Sequence, residues 1–297
     1  MTSTTTRDKT APSTVKIKPS HRPPTRWLAD HLVLLVGIVV LIYTFVPIAY
    51  IIALSFNQPT GRSATAQFES FTWDNWTTIC EPEGLCDSLQ LSIAVSVTAT
   101  LIATLLGTMM AFALVRHSFR GRSPSNLVIF LPMATPEVVM GSSLLAMFVS
   151  VGMDSVLGFV TLVIAHVLFC LSFVVVTVKA RLSGQDARLE QAAMDLYANE
   201  WQTFRRITLP LAMPGILAAA MLAFSLSFDD FVISNFTAGQ SVTFPLYIYG
   251  SKLKDFPPQL FAVGTLMFLI SFAFVIGAEL WRRQRMRSVA APRGRTR

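Results

Sequence analysis

The chain of 297 residues is 53% hydrophobic and only 14% charged, and it carries a formal net charge of +7. A soluble domain of this length would have about a quarter charged residues, so the composition excludes an ordinary soluble protein. The apolar residues fall in blocks of about 20 or more, the length that crosses a bilayer as helix. The basic residues lie in tails and short loops rather than in one aromatic-rich patch, which argues against a nucleic-acid partner. The sequence therefore predicts an all-α, polytopic membrane protein.

Six transmembrane helices are predicted between two polar tails. Residues 1–30 are rich in Thr, Ser, Pro and basic residues and predict a disordered tail, and residues 283–297 form a basic tail. Residues 31–282 between them are predicted to be the transmembrane domain. The first span is too long for a signal peptide. The predicted spans are Leu32–Leu54, Leu89–Val115, Leu127–Val149, Val156–Val178, Leu211–Phe236 and Leu260–Trp281.

The distribution of basic residues predicts the orientation of these spans. Lys and Arg number 24, and all except Arg62, Lys252 and Lys254 lie in the tails or in loops on the same side as the tails. Cytoplasmic segments carry the excess of positive charge in membrane proteins. Both ends of the chain and the long loop at residues 179–210 are therefore predicted to be cytoplasmic.

The cysteines have different predicted environments. Cys170 lies inside the fourth span and is most simply a small buried hydrophobic residue. Cys80 and Cys86 share the outer segment between the first two spans, where oxidising conditions permit a disulfide bridge. Two free thiols are an equal alternative from the sequence. Either state would serve packing or stability and not catalysis.

Known catalytic and metal-binding patterns are absent from the sequence. It contains no Gly-x4-Gly-Lys-Ser/Thr loop, so the chain is not expected to bind ATP by that route. No nucleophile stands beside a base, and the histidines are not spaced for a metal site. No enzyme activity, cofactor or metal site is therefore expected on this chain, and the role of His166, within the fourth span, stays open. The histidines are His21, His31, His117 and His166.

Acidic residues lie within two predicted spans, although each costs roughly 2.5–3.5 kcal/mol to insert near the bilayer centre. Glu137 falls near the middle of the third span, and Asp229 and Asp230 fall in the outer half of the fifth. Because the spans offer no Lys or Arg between their ends, a water-lined path for a cationic solute is the favoured interpretation.

Structural roles are the alternatives for these polar residues. Asp229 and Asp230 would merely mark the outer end of the fifth span if its helix were shifted by about one turn. Glu137 follows Pro136, which breaks the span and frees carbonyl groups that polar side chains satisfy. Ser227 is by its position more often a helix-packing residue than a ligand.

The segment Glu190–Pro210 is a long polar stretch between apolar spans that keeps a helical apolar rhythm. This rhythm predicts short amphipathic helices whose apolar face needs a partner. A solvated linker is the alternative, but linkers rarely combine a Trp, a Phe and a helical stripe. A docking surface for another protein is therefore favoured. The apolar residues that recur at spacings of two to four are Ala193, Leu196, Ala198, Trp201, Phe204 and Ile207.

This segment resembles the EAA loop of ABC-importer permeases, which reads Glu-Ala-Ala, three residues, Gly, and then Leu-Pro about a dozen residues later. Here it reads Gln191-Ala192-Ala193-Met194-Asp195-Leu196-Tyr197 and ends at Leu209-Pro210. The segments LPMATPEVVMGSSLL, HVLFCLSFVVVTVKARL and LPLAMPGILAAAMLAFSLSFDDFVISNF resemble the second permease subunit of spermidine/putrescine importers. The similarity covers about residues 31–282.

The resemblance implies a type I ABC importer permease fold with both ends in the cytoplasm, in a bacterial cytoplasmic (inner) membrane. It implies as partners a second permease subunit, two ATPase subunits that bind ATP and Mg, and an extracytoplasmic substrate-binding protein. It also implies polyamine import. The alternatives are import of another solute, such as a metal cation, thiamine or an amino-acid derivative, or a self-contained channel or secondary carrier.

The resemblance also implies roles for individual residues. The polyamine path would include Glu137, Ser227, Asp229 and Asp230. The segment that couples to the ATPase would include Glu190, Gln191, Ala192, Ala193, Asp195, Tyr197, Glu200, Trp201 and Phe204.

Two positions of the loop depart from the family pattern. Gln191 replaces the first Glu, although Glu190 beside it can supply the charge. Tyr197 stands where the family has a Gly that permits a sharp turn. Because tyrosine adopts positive φ only at a cost, the loop is expected either to bend differently or to meet a groove shaped to match.

Overall fold

The structure, a computed structural model, describes residues 24–61, 64, 67–186 and 188–290, with side chains omitted at 24–30, 278, 279 and 281–290. The regular secondary structure of this part is helical apart from one isolated antiparallel bridge between Asn57 and Phe71. This confirms the all-α prediction. The α-helices are α1 Pro24–Leu54, α2 Asp74–Thr77, α3 Leu85–Arg116, α4 Arg122–Ala134, α5 Glu137–Ser150, α6 Phe159–Ser183, α7 Arg188–Asp195, α8 Glu200–Thr203, α9 Leu209–Phe228, α10 Val232–Thr237, α11 Phe244–Lys252 and α12 Gln259–Ala290.

Within the described residues, 5 helical segments are long and apolar enough to cross a membrane, and there are 6 when the bent pair α4–α5 is taken as one broken span. The six predicted spans are therefore found, with different ends. Their orientation stays a prediction from the basic residues. The unbroken segments are His31–Leu54, Leu85–Arg116, Phe159–Ser183, Glu200–Phe228 and Gln259–Gly277.

The helical region extends into both predicted tails. α1 already begins at Pro24, a position that suits proline because the first helical residue needs no backbone donor. α12 continues to Ala290 through a run of arginines, which are good helix formers. The rest of the predicted tails, residues 1–23 and 291–297, lies outside the described residues.

The described residues divide into two compact units, one ending at Ile51 and the other beginning at Ile52. In the first unit, the apolar stretch of α1 is 0% buried. Such a helix is suited to contact with lipid or with another subunit, since apolar side chains on every face avoid water. Pro47 lies inside this helix.

The second unit is built around α3, α6 and α9, which pack through small residues. Ala103, Ala111, Ala219 and Ala223 are buried at these contacts. At Gly107 of α3, an added Cβ would lie only 2.6 Å from a methyl group of Val174, so these helices approach at backbone distance. Close packing of small residues stabilises helix association in membranes.

The third predicted span is broken into α4 and α5, whose axes differ by 105°. Pro136 causes the break, because a proline disfavours the helical conformation of the residue before it. Thr135 accordingly adopts an extended conformation (φ −82°, ψ 132°), and α5 begins at Glu137. The acidic residue predicted near the middle of a span therefore lies at a bend.

The fifth predicted span also differs from the structure. It was expected to continue to Phe236, but α9 ends at Phe228 and a separate short helix, α10, follows after a break. Serine and aspartate side chains favour such breaks because they hydrogen-bond to backbone groups outside a helix. Asp229 and Asp230 therefore directly follow a helix end, and their role in a solute path stays a prediction.

The segment between α1 and α3 is held by local contacts. The Phe56 ring stacks on Trp76, with ring centroids 5.6 Å apart. Asn75 donates a hydrogen bond of 2.8 Å to the carbonyl oxygen of Asn57. In the structure, Cys80 and Cys86 form a disulfide with their Cα atoms 5.3 Å apart, within the usual range for such bridges.

Candidate substrate path and coupling segment

Asp230 is buried and caps a helix. Its Oδ2 accepts a 2.9 Å hydrogen bond from the backbone N–H of Ser234, and Oδ1 accepts a 3.4 Å bond from that of Ile233. These groups belong to the first turn of α10, where backbone donors have no partner within the helix. Asp230 therefore stabilises the start of α10, whatever further part it has in transport.

Ser227 is buried against His166, the histidine whose role the sequence left open. Its Oγ lies 2.8 Å from Nδ1 of the imidazole, and Nε2 lies 3.1 Å from Oγ of Ser234. Nε2 is also 3.7 Å from Oδ2 of Asp230. These four side chains form one buried polar cluster, called here the His166 cluster. It joins α6 to both sides of the break between α9 and α10.

Glu137 and Asp229 are exposed in the chain, unlike Ser227 and Asp230. Each lies at a helix break: Glu137 is the first residue of α5, and Asp229 directly follows α9. The helix that follows the second break, α10, packs against the helix that follows the first, α5. At Gly141, an added Cβ would lie 2.7 Å from the Phe236 ring. The structure thus leaves two of the four predicted path residues free to contact a solute.

The predicted short helices of the coupling segment are present as α7 and α8. A capping box fixes the start of α8: the Asn199 side chain accepts a 2.8 Å bond from the Gln202 N–H, and the Gln202 side chain accepts a 3.1 Å bond from the Asn199 N–H. The sequence analysis missed this pair, although the spacing Asn-x-x-Gln is a known signal for a helix start. α8 then continues through a π-helical turn into α9, so residues Glu200–Phe228 form one helical run.

One face of the coupling segment is fastened to the rest of the chain. Glu190 forms a 2.7 Å ion pair with Arg116 at the end of α3. It also accepts a 2.8 Å hydrogen bond from the Thr208 hydroxyl. Phe204 packs edge-on against Phe112 of α3, with centroids 5.3 Å apart. Glu190 and Phe204, both predicted to contact an ATPase, therefore hold the segment to α3 in this chain.

The other face of the coupling segment is exposed and carries large apolar side chains. Leu196, Tyr197 and Trp201 are 82%, 98% and 66% exposed. They form no part of the buried clusters of the chain, so a partner has room to cover them. This set is called here the exposed coupling face. The other predicted coupling residues that are exposed are Gln191, Ala192, Asp195 and Glu200, and Ala193 is half-buried.

Tyr197 adopts the left-handed conformation that a glycine would take, with φ of 64°. The turn between α7 and α8 is therefore kept despite the substitution. Left-handed backbone costs an L-residue about 1–2 kcal/mol because its Cβ approaches the following carbonyl oxygen. The Tyr197 ring gains no burial in return, so the chain bears this strain at an exposed site.

Replacing Tyr197 with Gly is expected to raise the free energy of unfolding by about 0.5–1 kcal/mol, since glycine relieves the strain but loses more entropy on folding. Thermal unfolding of the purified protein in detergent measures the effect. Tyr197→Ala is the matched control, because it removes the ring but keeps the Cβ. Equal stabilisation by both variants would show that strain is not the cause.

Among the described residues, no group of three or more His, Cys, Asp and Glu side chains is placed to hold a metal ion. The chemistry available at the two helix breaks is instead that of exposed carboxylates beside a buried polar cluster. Such groups bind cations and donors by charge and hydrogen bonding.

Comparisons with known proteins show which family has this architecture. Residues 103–288 match the family described as "Binding-protein-dependent transport system inner membrane component". The chain is 36% identical over 248 residues to the spermidine/putrescine transport system permease protein PotC of Haemophilus influenzae, covering 83% of this chain and 94% of that protein. It is 32% identical over 268 residues to the putrescine transport system permease protein PotI of Escherichia coli, covering 84% and 92%.

Solved structures show the same fold. A bacterial ABC transporter involved in the import of the acidic polysaccharide alginate matches with a TM-score of 0.60 at 17% identity, over 90% of this chain and 99% of that chain. The alginate transporter in complex with its pentasaccharide-bound periplasmic protein matches with a TM-score of 0.62 at 16% identity, over 90% and 96%. With the family match over most of the helical region, these findings show that the chain belongs to the binding-protein-dependent transport system inner membrane components.

Proposed function

We propose that this chain is the membrane-spanning permease subunit of an ATP-driven importer of polyamines such as spermidine and putrescine. The observation that carries the proposal is the 36% identity to a spermidine/putrescine permease over 83% of this chain and 94% of that protein. The alginate transporters share the fold at much lower identity and give no support for a polysaccharide substrate.

Family membership makes the chain a multi-pass transport subunit of the inner membrane and not an enzyme. Transport of this kind depends on a binding protein. We also propose the composition of the complete transporter. This chain would form a heterodimer with a second permease, and the heterodimer would bind two copies of an ATPase that binds ATP and Mg, and an extracytoplasmic polyamine-binding protein.

The exposed carboxylates suit a polyamine, which is a flexible polycation. Glu137 and Asp229 each lie at a helix break, where the regular helical ladder is interrupted. Solvent-accessible carboxylates in a low-dielectric surrounding attract ammonium groups more strongly than they do in bulk water. The proposed path therefore passes these two side chains, while Ser227 and Asp230 support it from within the protein.

The helical run Glu200–Phe228 supplies a physical connection between ATPase and path. It is 29 residues long, which corresponds to roughly 40 Å of helix. Trp201 lies at its start and Asp229 directly follows its end. The Glu190–Arg116 ion pair and the Phe204–Phe112 ring contact connect this region to α3, so α3 is expected to move together with the helical run. Closure of the ATPases would thus tilt both helices as a rigid body and reopen the path on the other side.

Uptake of radiolabelled spermidine and putrescine, measured in cells that lack this chain and any other polyamine importer, tests the proposal. Uptake is expected to be absent and to return with the wild-type gene, because no other subunit supplies this half of the path. Labelled thiamine and arginine, measured in the same cells, represent the alternative solutes. Unchanged polyamine uptake in the deletion, or loss confined to thiamine or arginine, would contradict the polyamine assignment.

A further inference from the structure

The His166 cluster occupies the one place where the helical run that ends at Phe228 is interrupted before α10. His166 is 1% exposed and lies on α6, outside both interrupted segments. Its ring nitrogens reach Ser227 on one side of the break and Ser234 on the other, at 2.8 and 3.1 Å. An imidazole suits this arrangement because its two nitrogens form hydrogen bonds in opposite directions, one as donor and one as acceptor when the ring is neutral.

The same contacts fix Asp229, which lies between Ser227 and Asp230 in the chain. The helical ladder of α9 ends at Asp229, whose backbone N–H donates a 3.2 Å hydrogen bond to the Ser225 carbonyl oxygen, so the chain beyond this residue depends on other contacts for its direction. Ser227 is held by His166, and Asp230 is held by the backbone of α10. Buried groups therefore fix the residue directly after Asp229 and the residue two positions before it, while Asp229 itself stays exposed.

The position of α10 also bears on Glu137. α10 is tied to α6 a second time, where the Thr161 hydroxyl donates a 2.7 Å hydrogen bond to the carbonyl oxygen of Thr237. On its other side α10 packs against α5, where a Cβ at Gly141 would lie 3.5 Å from the Ile233 Cα. Glu137 begins α5, one turn before Gly141. A shift of α10 would therefore displace both exposed carboxylates relative to each other.

We propose that His166 is a positioning residue for transport: by bridging Ser227 and Ser234 it sets the placement of Asp229 and, through α10, of Glu137 for contact with a polycation. This inference rests on the proposed polyamine function. A polyamine presents ammonium groups at fixed spacings along its chain, so recognition by two carboxylates depends on the distance between them. His166 controls that distance without touching the solute.

The test uses the complete importer, with its binding protein, reconstituted in proteoliposomes. The readout is the amount of spermidine transported per ATP hydrolysed, which a mere loss of folded complex leaves unchanged. His166→Ala is expected to lower this ratio roughly three- to tenfold, the range typical of a lost buried hydrogen-bonding group. His166→Gln is expected to recover part of it, because its amide reaches as far as Nε2 and bonds Ser234.

Cys170→Ala is the matched control. Cys170 is buried one turn further along α6 and its thiol lies 3.4 Å from the Ala223 carbonyl oxygen of α9, away from the break. It is expected to keep the transport ratio of the wild type. Equal losses of the ratio in Cys170→Ala and His166→Ala would overturn the positioning role.

A double-mutant cycle with Asp229→Glu separates this inference from the proposed function. Asp229→Glu keeps the charge but moves it by one methylene group, so its effect on the ratio should depend on whether His166 is present. Independent, multiplicative effects would overturn the positioning role and leave the polyamine function standing. An unchanged ratio in Asp229→Glu and Asp229→Asn alike would overturn both the path and the inference.

Discussion

Asp229→Asn is expected to reduce polyamine uptake by about tenfold or more while the amount of the chain in the membrane stays unchanged. At about 4 Å and an effective dielectric constant of about 20, a carboxylate and an ammonium group attract by about 4 kcal/mol. A tenfold loss needs only about 1.4 kcal/mol of this, which leaves room for solvent screening at an exposed side chain. Initial rates of radiolabelled spermidine uptake, with immunoblots of the membrane fraction, measure both quantities.

Asp230→Asn is the control, because the structure gives this adjacent acid a different task. Replacing the Asp230 carboxylate with an amide weakens its hydrogen bonds to the first turn of α10, so the main expected effect is a lower level of folded protein. Comparing the Asp229→Asn and Asp230→Asn variants therefore distinguishes a loss of solute contact from a loss of protein stability. If Asp229→Asn transports normally, or if it fails only because less protein is present, the proposed path does not include this carboxylate.

Trp201→Glu is expected to release the ATPase subunit from the membrane complex. Trp201 belongs to the exposed coupling face, and a large aromatic residue at the centre of an interface commonly contributes about 2 kcal/mol or more to binding. Replacing it with a carboxylate removes that contact and adds a charge that the interface would have to desolvate. Co-purification of the ATPase with the tagged chain in detergent should fall by roughly thirtyfold or more.

Leu253→Glu is the control for this experiment, since Leu253 is also an exposed large apolar residue but lies in the predicted outer segment. It is expected to retain the ATPase. Phe204→Glu is less suitable as a test, because Phe204 packs on Phe112 and its replacement would loosen the segment itself. Full retention of the ATPase by Trp201→Glu would contradict docking through the exposed coupling face.

The prediction from sequence was most successful where a single stretch of residues determines the outcome. Span length, the proline break before Glu137 and the short helices of the coupling segment all depend on neighbours in the chain. The end of the fifth span was wrong because hydropathy continues through FVISNF, whereas the helix is interrupted by side chains that bond to backbone nearby. The Asn199–Gln202 capping box was readable from spacing alone but was overlooked.

Tyr197 shows a different limit of sequence comparison. The family pattern indicated a turn that favours glycine, and the two alternatives were a different bend or a partner groove shaped to match. The structure keeps the bend, with φ of 64° at a tyrosine. Local propensity is overridden here because the connected helices α7 and α8 are each held by contacts elsewhere, including the pair Glu190–Arg116.

The sequence by itself determined that this protein is helical, spans a membrane and carries an amphipathic loop between apolar spans, because hydrophobic length and helical periodicity are local properties of the chain. Only the tertiary structure decided which acids are exposed. Asp229 and Asp230 are adjacent, yet one is free and the other is buried beside His166. Asp230 Oδ2 lies 3.7 Å from Nε2 of His166, a residue on α6 that is distant in the chain, and no local pattern encodes this proximity. Partners for buried polar groups come from distant segments, so they follow from the packing of α6, α9 and α10.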